Sequence, residues 1–323
     1  MARRLTIAAL AAALLLGLPG AAAAAPAAIG IGEQNAAMFS DPAWQRLNSP
    51  DVRYVVSWDA LTVRWQRDEV DAYMRAAEAA GARVLLTFSR SRSPRKARRK
   101  YLPSPARFKR EFLRFRKRYP FVRSYLTWNE ANHRGQPTWN RPRTVGRYHD
   151  ILRRNCRRCT IVGPSVLDTT TMPAWVRQVE RGARTRIRVW ALHNYIDANR
   201  FRTSGTRSLL KATKAKIWFT ETGGLVRRDN GSRIEFAESK RHAVRATRQV
   251  MRLARLSRRV QRVYFYHWVA PAPDSTWDSA LIDLRGRPRP SYKVVYAYIR
   301  GVRAANRARA RGRAALLHRT RTP

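Results

Sequence analysis

The 323-residue chain is poor in acid, in cysteine and in long apolar runs, and each shortage narrows what it can be. Only 21 Asp and Glu stand against 66 Lys and Arg, a formal net charge of +45. Such an excess concentrates any polyanion near the surface, whether nucleic acid, acidic polysaccharide or an anionic cell-surface polymer, without choosing among them. The basic residues are dispersed, with denser runs at "SRSRSPRKARRK" and in the tail "RAANRARARGRAALLHRTRTP". A solvated Arg-rich surface explains that dispersion as well as a binding groove does, and both readings stay open.

The two cysteines, Cys156 and Cys159, sit in "NCRRCT". With no second Cys or His pair nearby they cannot complete a tetrahedral zinc site, so no metal is expected. A local disulfide is the preferred reading. Redox chemistry would need an exposed thiolate at a helix start, whereas this pair ends a helix and precedes a strand. No segment after residue 28 is apolar for long enough to cross a bilayer. Before it, Met1 to Arg4 give a positive start, Leu5 to Leu18 an apolar run and Pro19 to Ala28 a small-residue stretch. That is the layout of a signal peptide over 1–28, and it implies export to the extracellular space or cell envelope. A retained anchor is the other reading, disfavoured by the Gly17 and Pro19 interruptions. No G-x-G-x-x-G follows the first strand-like segment, which argues against a dinucleotide fold, and no cofactor is expected.

What is present is one pattern repeated to the end. Short apolar runs bounded by turns recur near Ala28, Arg53, Val84, Leu126, Val162, Ala191, Phe219 and Phe265. Helical periodicity fills the gaps over 68–80, 104–118, 143–154, 173–181 and 235–256, and 292–304 follows the last strand. Eight strand–helix units in one domain over 29–303 predict a (β/α)8 TIM barrel of the α/β class. The basic tail over 304–323 lacks a sustained apolar face and is expected not to fold.

Active sites of such barrels lie at the C-terminal ends of the strands. The fourth strand ends in Asn129-Glu130, within "YLTWNEANH", and the seventh in Thr220-Glu221, within "WFTETGG". Two carboxylates at one end of a barrel suit cleavage of a glycosidic bond by a paired acid and nucleophile, one protonated and the other ionised. The sixth strand ends in His193-Asn194-Tyr195, with the His and Tyr on one face by strand alternation. Tyr264, Tyr266 and Trp268 share a face of the eighth, and Trp58 closes the second. Aromatics near the mouth offer flat apolar surfaces with polar edges, which suit a sugar ring.

The strings "TWNEANH", "HNY" and "FTETGG", followed by Trp268, resemble clan A glycoside hydrolases, the retaining (β/α)8 enzymes that include cellulases, mannanases and xylosidases. The likeness is greatest to compact exported bacterial members. The resemblance implies that Glu130 is the general acid/base and Glu221 the nucleophile. It also implies that Asn129 binds the hydroxyl next to the reacting carbon, that Tyr195 donates to Glu221 and His193 shapes the same wall, that Arg53 in "VRYVVSW" reaches the nucleophile, and that Trp268 stacks beneath the sugar. Trp58 is a further candidate for substrate contact. Donors such as Arg53 and Tyr195 favour an ionised Glu221, while nearby negative charge and the apolar Trp128 would keep a proton on Glu130. Retention predicts carboxyl groups about 5 to 5.5 Å apart.

Glu33, Gln34 and Asn35 on the first strand could line the pocket. Asp278 in "STWDSAL" reads as a structural turn, and the sequon at Asn230 carries no weight. The expected partner is a poly- or oligosaccharide, bound by a monomer with no membrane span after processing. The competing function is a non-catalytic barrel that holds anionic glycan or cell-wall polymer on its Arg-rich surface. A nucleic-acid binder is supported by charge alone, and export argues against it.

Overall fold

The computed structural model describes residues 26–229 and 236–319. Its strands in chain order are β1 (Ala28–Gly32), β2 (Asp51–Ser57), β3 (Arg83–Ser89), β4 (Ser124–Leu126), β5 (Thr160–Val162), β6 (Ser165–Leu167), β7 (Val189–His193), β8 (Lys216–Thr222), β9 (Arg227–Arg228), β10 (Val260–Tyr266) and β11 (Trp277–Asp278). Helices are α1 (Pro42–Leu47), α2 (Arg64–Ala79), α3 (Pro94–Arg98), α4 (Pro105–Arg118), α5 (Pro142–Asn155), α6 (Met172–Gly182), α7 (Tyr195–Asn199), α8 (Ser204–Ala212), α9 (Lys240–Arg255) and α10 (Pro290–Arg319).

Nine parallel strands form one sheet in the order β5-β4-β3-β2-β1-β10-β8-β7-β6. The two ends of that order, β5 and β6, are one strand of chain interrupted by Gly163-Pro164, since proline removes a ladder donor. Gly163 N donates to Val189 O on β7 at 2.8 Å, and Ser165 N donates to Trp128 O, just past β4, at 2.9 Å. The interrupted strand therefore bonds both neighbours, and eight strands close into the expected (β/α)8 barrel. β9 and β11 pair separately and antiparallel, between the loops that follow β8 and β10.

Local chemistry sets the helix starts. Proline opens α1, α3, α4, α5 and α10 and lies in the first turn of α6, where its missing N–H costs nothing. Ser104 Oγ accepts from Arg107 N at 3.3 Å and Ser239 Oγ from His242 N at 2.9 Å, capping α4 and α9. The helix expected from Glu235 thus begins at Lys240, and Glu235 itself lies outside the described residues. The helix expected to end at Ala304 continues to Arg319, so the backbone over 304–319 is helical. The expected signal segment is almost wholly outside the described residues, and so is Asn230.

The core has two layers. Leu85, Leu126, Val162, Ala191, Trp218 and Tyr264 fill the lower barrel, and a larger cluster joins sheet to helices. Cys156 and Cys159 form the expected local disulfide at the end of α5. Among the described residues no helix is long and apolar enough to cross a membrane.

Candidate active site

The backbone past β4 stays extended, with Thr127 N donating to Val162 O at 3.1 Å and Asn129 N to Phe88 O at 2.7 Å. It breaks at Glu130, which has φ 45°, a left-handed conformation that few non-glycine residues adopt. The turn is held by Glu130 N donating to Ser165 Oγ at 2.7 Å and Ala131 N to Ser165 O at 2.8 Å. Strain held by surrounding bonds is what a functional residue at a strand end shows. Opposite, the β7–β8 register slips between Leu192↔Phe219 and His193↔Glu221, and β10 pairs Val263 with Phe219 but Phe265 with Thr222. This bulge re-aims Glu221 toward the barrel axis.

The two carboxylates meet across His193, which is fully buried. Its Nδ1 lies 3.1 Å from Glu130 Oε1 and 3.7 Å from Glu221 Oε2. Arg53, 1% exposed in the middle of β2, sends Nη1 to Glu221 Oε2 at 2.8 Å and Nη2 to Asn129 Oδ1 at 2.5 Å. Tyr195 Oη donates to Glu221 Oε1 at 3.3 Å. Tyr195 is the first residue of α7 rather than the end of the strand, so a helix turn and not strand alternation brings it to the site. Burial pushes its phenol well above the ordinary range, and the Glu221 charge adds to this, so it stays a donor.

Glu130 departs from the expectation of a raised carboxyl. Burial pushes it up, but the hydrogen bond and charge of His193, with the charges of His133 and Arg53, outweigh burial and hold it below its ordinary range. One ligand atom each from Glu130, His193 and Glu221 falls within 4.8 Å of the others, a set able to hold a cation. Arg53 and Tyr195 already occupy both Glu221 oxygens, and Arg53 supplies positive charge there.

The carboxylate pair stands where two lobes of one cleft join. The first, about 620 Å³, is walled by Tyr195, Arg228, Phe236, Tyr266 and Trp277. The second, about 730 Å³, is lined by Gln34, Ser57, Arg90 and Asn129, and both lobes include Glu33, Asn35, Glu130, Glu221 and Tyr266. Six of the eight sequence-derived site residues therefore meet here: Glu130, Glu221, Asn129, His193, Tyr195 and Arg53.

Trp268 and Trp58 do not. β10 ends at Tyr266, and two residues on Trp268 turns into the outer core, 5.9 Å from the Tyr292 ring, with Nε1 donating to Asp41 Oδ2 at 2.8 Å. Tyr266 takes the wall position instead. Trp58 is buried beside Tyr101, with Lys96 Nζ 5.2 Å from its ring centre. Glu33 lies at the cleft but is spent on backbone: Oε1 accepts from Gln34 N and Asn35 N, Oε2 from Trp268 N and Val269 N. Asp278 is bound bidentately by Arg289 at 2.7 Å, a structural role.

Sequence reasoning missed Trp277, whose ring meets Tyr195 edge-on at 4.8 Å, although its neighbour Asp278 was weighed. It also missed Asp168, which accepts from Ile196 N at 3.3 Å and Asp197 N at 2.8 Å and so anchors the first turn of α7 beneath Tyr195.

No curated protein sequence matches the chain. Several solved structures share its fold. A psychrophilic glycoside hydrolase family 10 endo-β-1,4-xylanase superposes with a TM-score of 0.63 at 13% identity, over 84% of this chain and 96% of that one. Xylanase 10B from Thermotoga petrophila gives 0.59 at 13% identity, over 84% and 94%. A β-glucuronidase from an uncultured Clostridium gives 0.58 at 10% identity over 85% of this chain, which spans 50% of that longer protein. The family model described as the glycosyl hydrolase catalytic core matches residues 108–295, more than half of the sequence, from within α4 into α10 and including both carboxylates. The chain belongs to the glycosyl hydrolase catalytic-core family and is a glycoside hydrolase.

Proposed function

We propose that this glycoside hydrolase cleaves a poly- or oligosaccharide with retention of configuration, Glu221 acting as nucleophile and Glu130 as general acid/base. The observation that carries the reading is the spacing of the pair. One oxygen of each lies within 4.8 Å of the other, nearer the roughly 5 to 5.5 Å carboxyl separation of retaining enzymes than the about 6.5 to 9.5 Å of inverting ones, which supports retention.

In the first step a Glu221 oxygen attacks the anomeric carbon while the Glu130 proton passes to the leaving oxygen and the glycosidic C–O bond breaks. In the second, Glu130 takes a proton from water as that water attacks the anomeric carbon and releases Glu221. Arg53 and Tyr195 orient the nucleophile, and Arg53 also fixes Asn129 at the same wall. Glu130 needs its proton on arrival of substrate. A sugar seated over its side chain, 24% exposed, removes the water that remains and strengthens the burial that raises it. Tyr266 and Trp277 offer ring faces to sugar C–H groups in the first lobe. Lobes on both sides of the pair suit a substrate of several sugars.

Export from the cell is part of the same reading. The positive, apolar and small-residue succession over 1–28 supports it, as does a disulfide at Cys156–Cys159, which suits an oxidising compartment. The test of the site is substitution. Glu130→Gln and Glu221→Gln are each expected to lower turnover by a factor of about 10³ or more with an unchanged fold, read by circular dichroism. Turnover surviving both single changes would refute the assignment.

A further inference from the structure

A second concavity lies on the face of the barrel opposite the catalytic mouth. It measures about 420 Å³ and is formed by the α6–β7 and α8–β8 connections, where β7 and β8 begin. The catalytic groups stand at the other ends of these strands, roughly 15 Å away at about 3.3 Å per residue. Arg184, Arg186, Lys211 and Lys214 ring it, all exposed, and none has a carboxylate partner among the described residues.

The nearby acids accept hydrogen bonds from neutral donors of the fold. Glu180 Oε1 accepts from Trp190 Nε1 at 3.0 Å, and Asp150 accepts from Arg184 N, Thr185 N and Thr185 Oγ1. Arg259 braces the wall from behind, bonding the carbonyls of Leu210, Thr213 and Ala215, and adds a fifth positive charge. Two loops pinned by internal bonds thus present a fixed hollow in which four exposed cations outnumber the single lining acid, Glu180, and such a hollow focuses the field of a strongly basic protein.

We propose that this hollow is a non-catalytic binding site for an acidic saccharide, whose carboxylate or sulfate groups pair with Arg184, Arg186, Lys211 and Lys214. It rests on the chain's being a glycoside hydrolase, which makes a glycan the natural polymer at its surface. The lining favours such a ligand over nucleic acid: it contains no aromatic ring on which a base could stack, and beside the cations it has apolar residues, the Thr185 and Thr213 hydroxyls and the Glu180 carboxylate. A site on the far face would tether the enzyme to an anionic polymer while the cleft stays open to substrate.

The experiment measures binding of fluorescent oligogalacturonate, a sulfated oligosaccharide, neutral xylo-oligosaccharide and single-stranded DNA, all of matched length. The full chain is compared with two variants of equal charge loss. One carries Arg184→Ala, Arg186→Ala, Lys211→Ala and Lys214→Ala. The other carries Lys109→Ala, Lys117→Ala, Arg147→Ala and Arg154→Ala, which lie on the exposed faces of α4 and α5. The first variant is expected to lose about tenfold or more in affinity for the acidic saccharides, with a shallower salt dependence, and the second less than about twofold. Whichever of the carboxylated and sulfated probes binds more tightly identifies the anionic group. Equal losses in the two variants would overturn the proposal in favour of diffuse charge, and so would tighter binding of DNA through the same four residues. Cleavage of a small neutral glycoside, measured alongside, should be the same in all three proteins. Its absence from all three would count against the catalytic reading and leave the binding result intact.

Discussion

Arg53 is the residue on which the two halves of the site depend. Its guanidinium is buried between Glu221 and Asn129, so removing it leaves one half-buried carboxylate without its ion partner and one amide oxygen without its donor. Arg53→Lys keeps the charge but cannot bridge both groups, and turnover should fall about 10²-fold or more while the chain still folds. A kinetic comparison with the parent checks this, and unchanged turnover would remove Arg53 from the mechanism. Two other buried groups pull the response to pH in opposite directions. Burial pushes the Asp168 carboxyl from 3.8 up to about 7, and burial pushes the His149 imidazole from 6.5 down to about 4. Between these values the folded state holds a proton at Asp168 that the unfolded chain releases, so this contribution to stability falls as pH rises. At His149 the unfolded chain binds the extra proton, so that contribution rises with pH. Each slope reaches at most about 1.4 kcal/mol per pH unit, and over roughly pH 4 to 6.5 they oppose each other. Asp168→Asn should therefore unmask His149 and give a stability that climbs with pH across this window. Denaturant unfolding at several pH values measures it, and a profile no steeper than the parent's would contradict the pairing.

At the level of elements, the approach of helices matters as much as the strands. A side chain at Gly146 on α5 would place Cβ 2.5 Å from Val179 O on α6, and one at Gly182 would meet Arg143 Cα at 2.4 Å. These glycines let α5 and α6 touch backbone to backbone, behind the interrupted fifth strand. Gly146→Ala should cost about 1–3 kcal/mol by overpacking and lower the melting temperature without changing the chemistry of the cleft. A melting temperature equal to the parent's would show that the helices can separate freely. The same elements show what the sequence made legible. Parallel strands buried on both faces read as apolar runs, so the eight-strand pattern and the two Glu at strand ends could be read directly. Trp268 could not be placed, because alternation holds only while a strand lasts and β10 stops at Tyr266. Trp277 was invisible for the opposite reason: it belongs to β11, a two-residue strand whose partner Arg228 is 49 positions earlier in the chain, and no local period marks such a pairing. α8 was missed because "SGTRSLLKA" opens with Ser and Gly, which favour turns until tertiary packing overrides them.

For the molecule as a whole, closure of the barrel is what aligns β2, β4, β7 and β8 so that Arg53, Glu130, His193 and Glu221 converge from four separate strands or their ends. The Cys156–Cys159 disulfide lies at the end of α5, and its loop is so short that reduction should cost at most about 2 kcal/mol and leave the cleft working. Loss of activity under mild reductant would give that bond a larger role. The central claim is the covalent chemistry of Glu221. It is tested most directly by incubating the enzyme with a panel of activated 2-fluoro glycosides, measuring the intact mass and mapping the modified peptide. The account predicts one added glycosyl group, on Glu221, with no adduct in Glu221→Gln. An adduct on Glu130 or elsewhere, or turnover of an activated sugar with no adduct at any time, would contradict it.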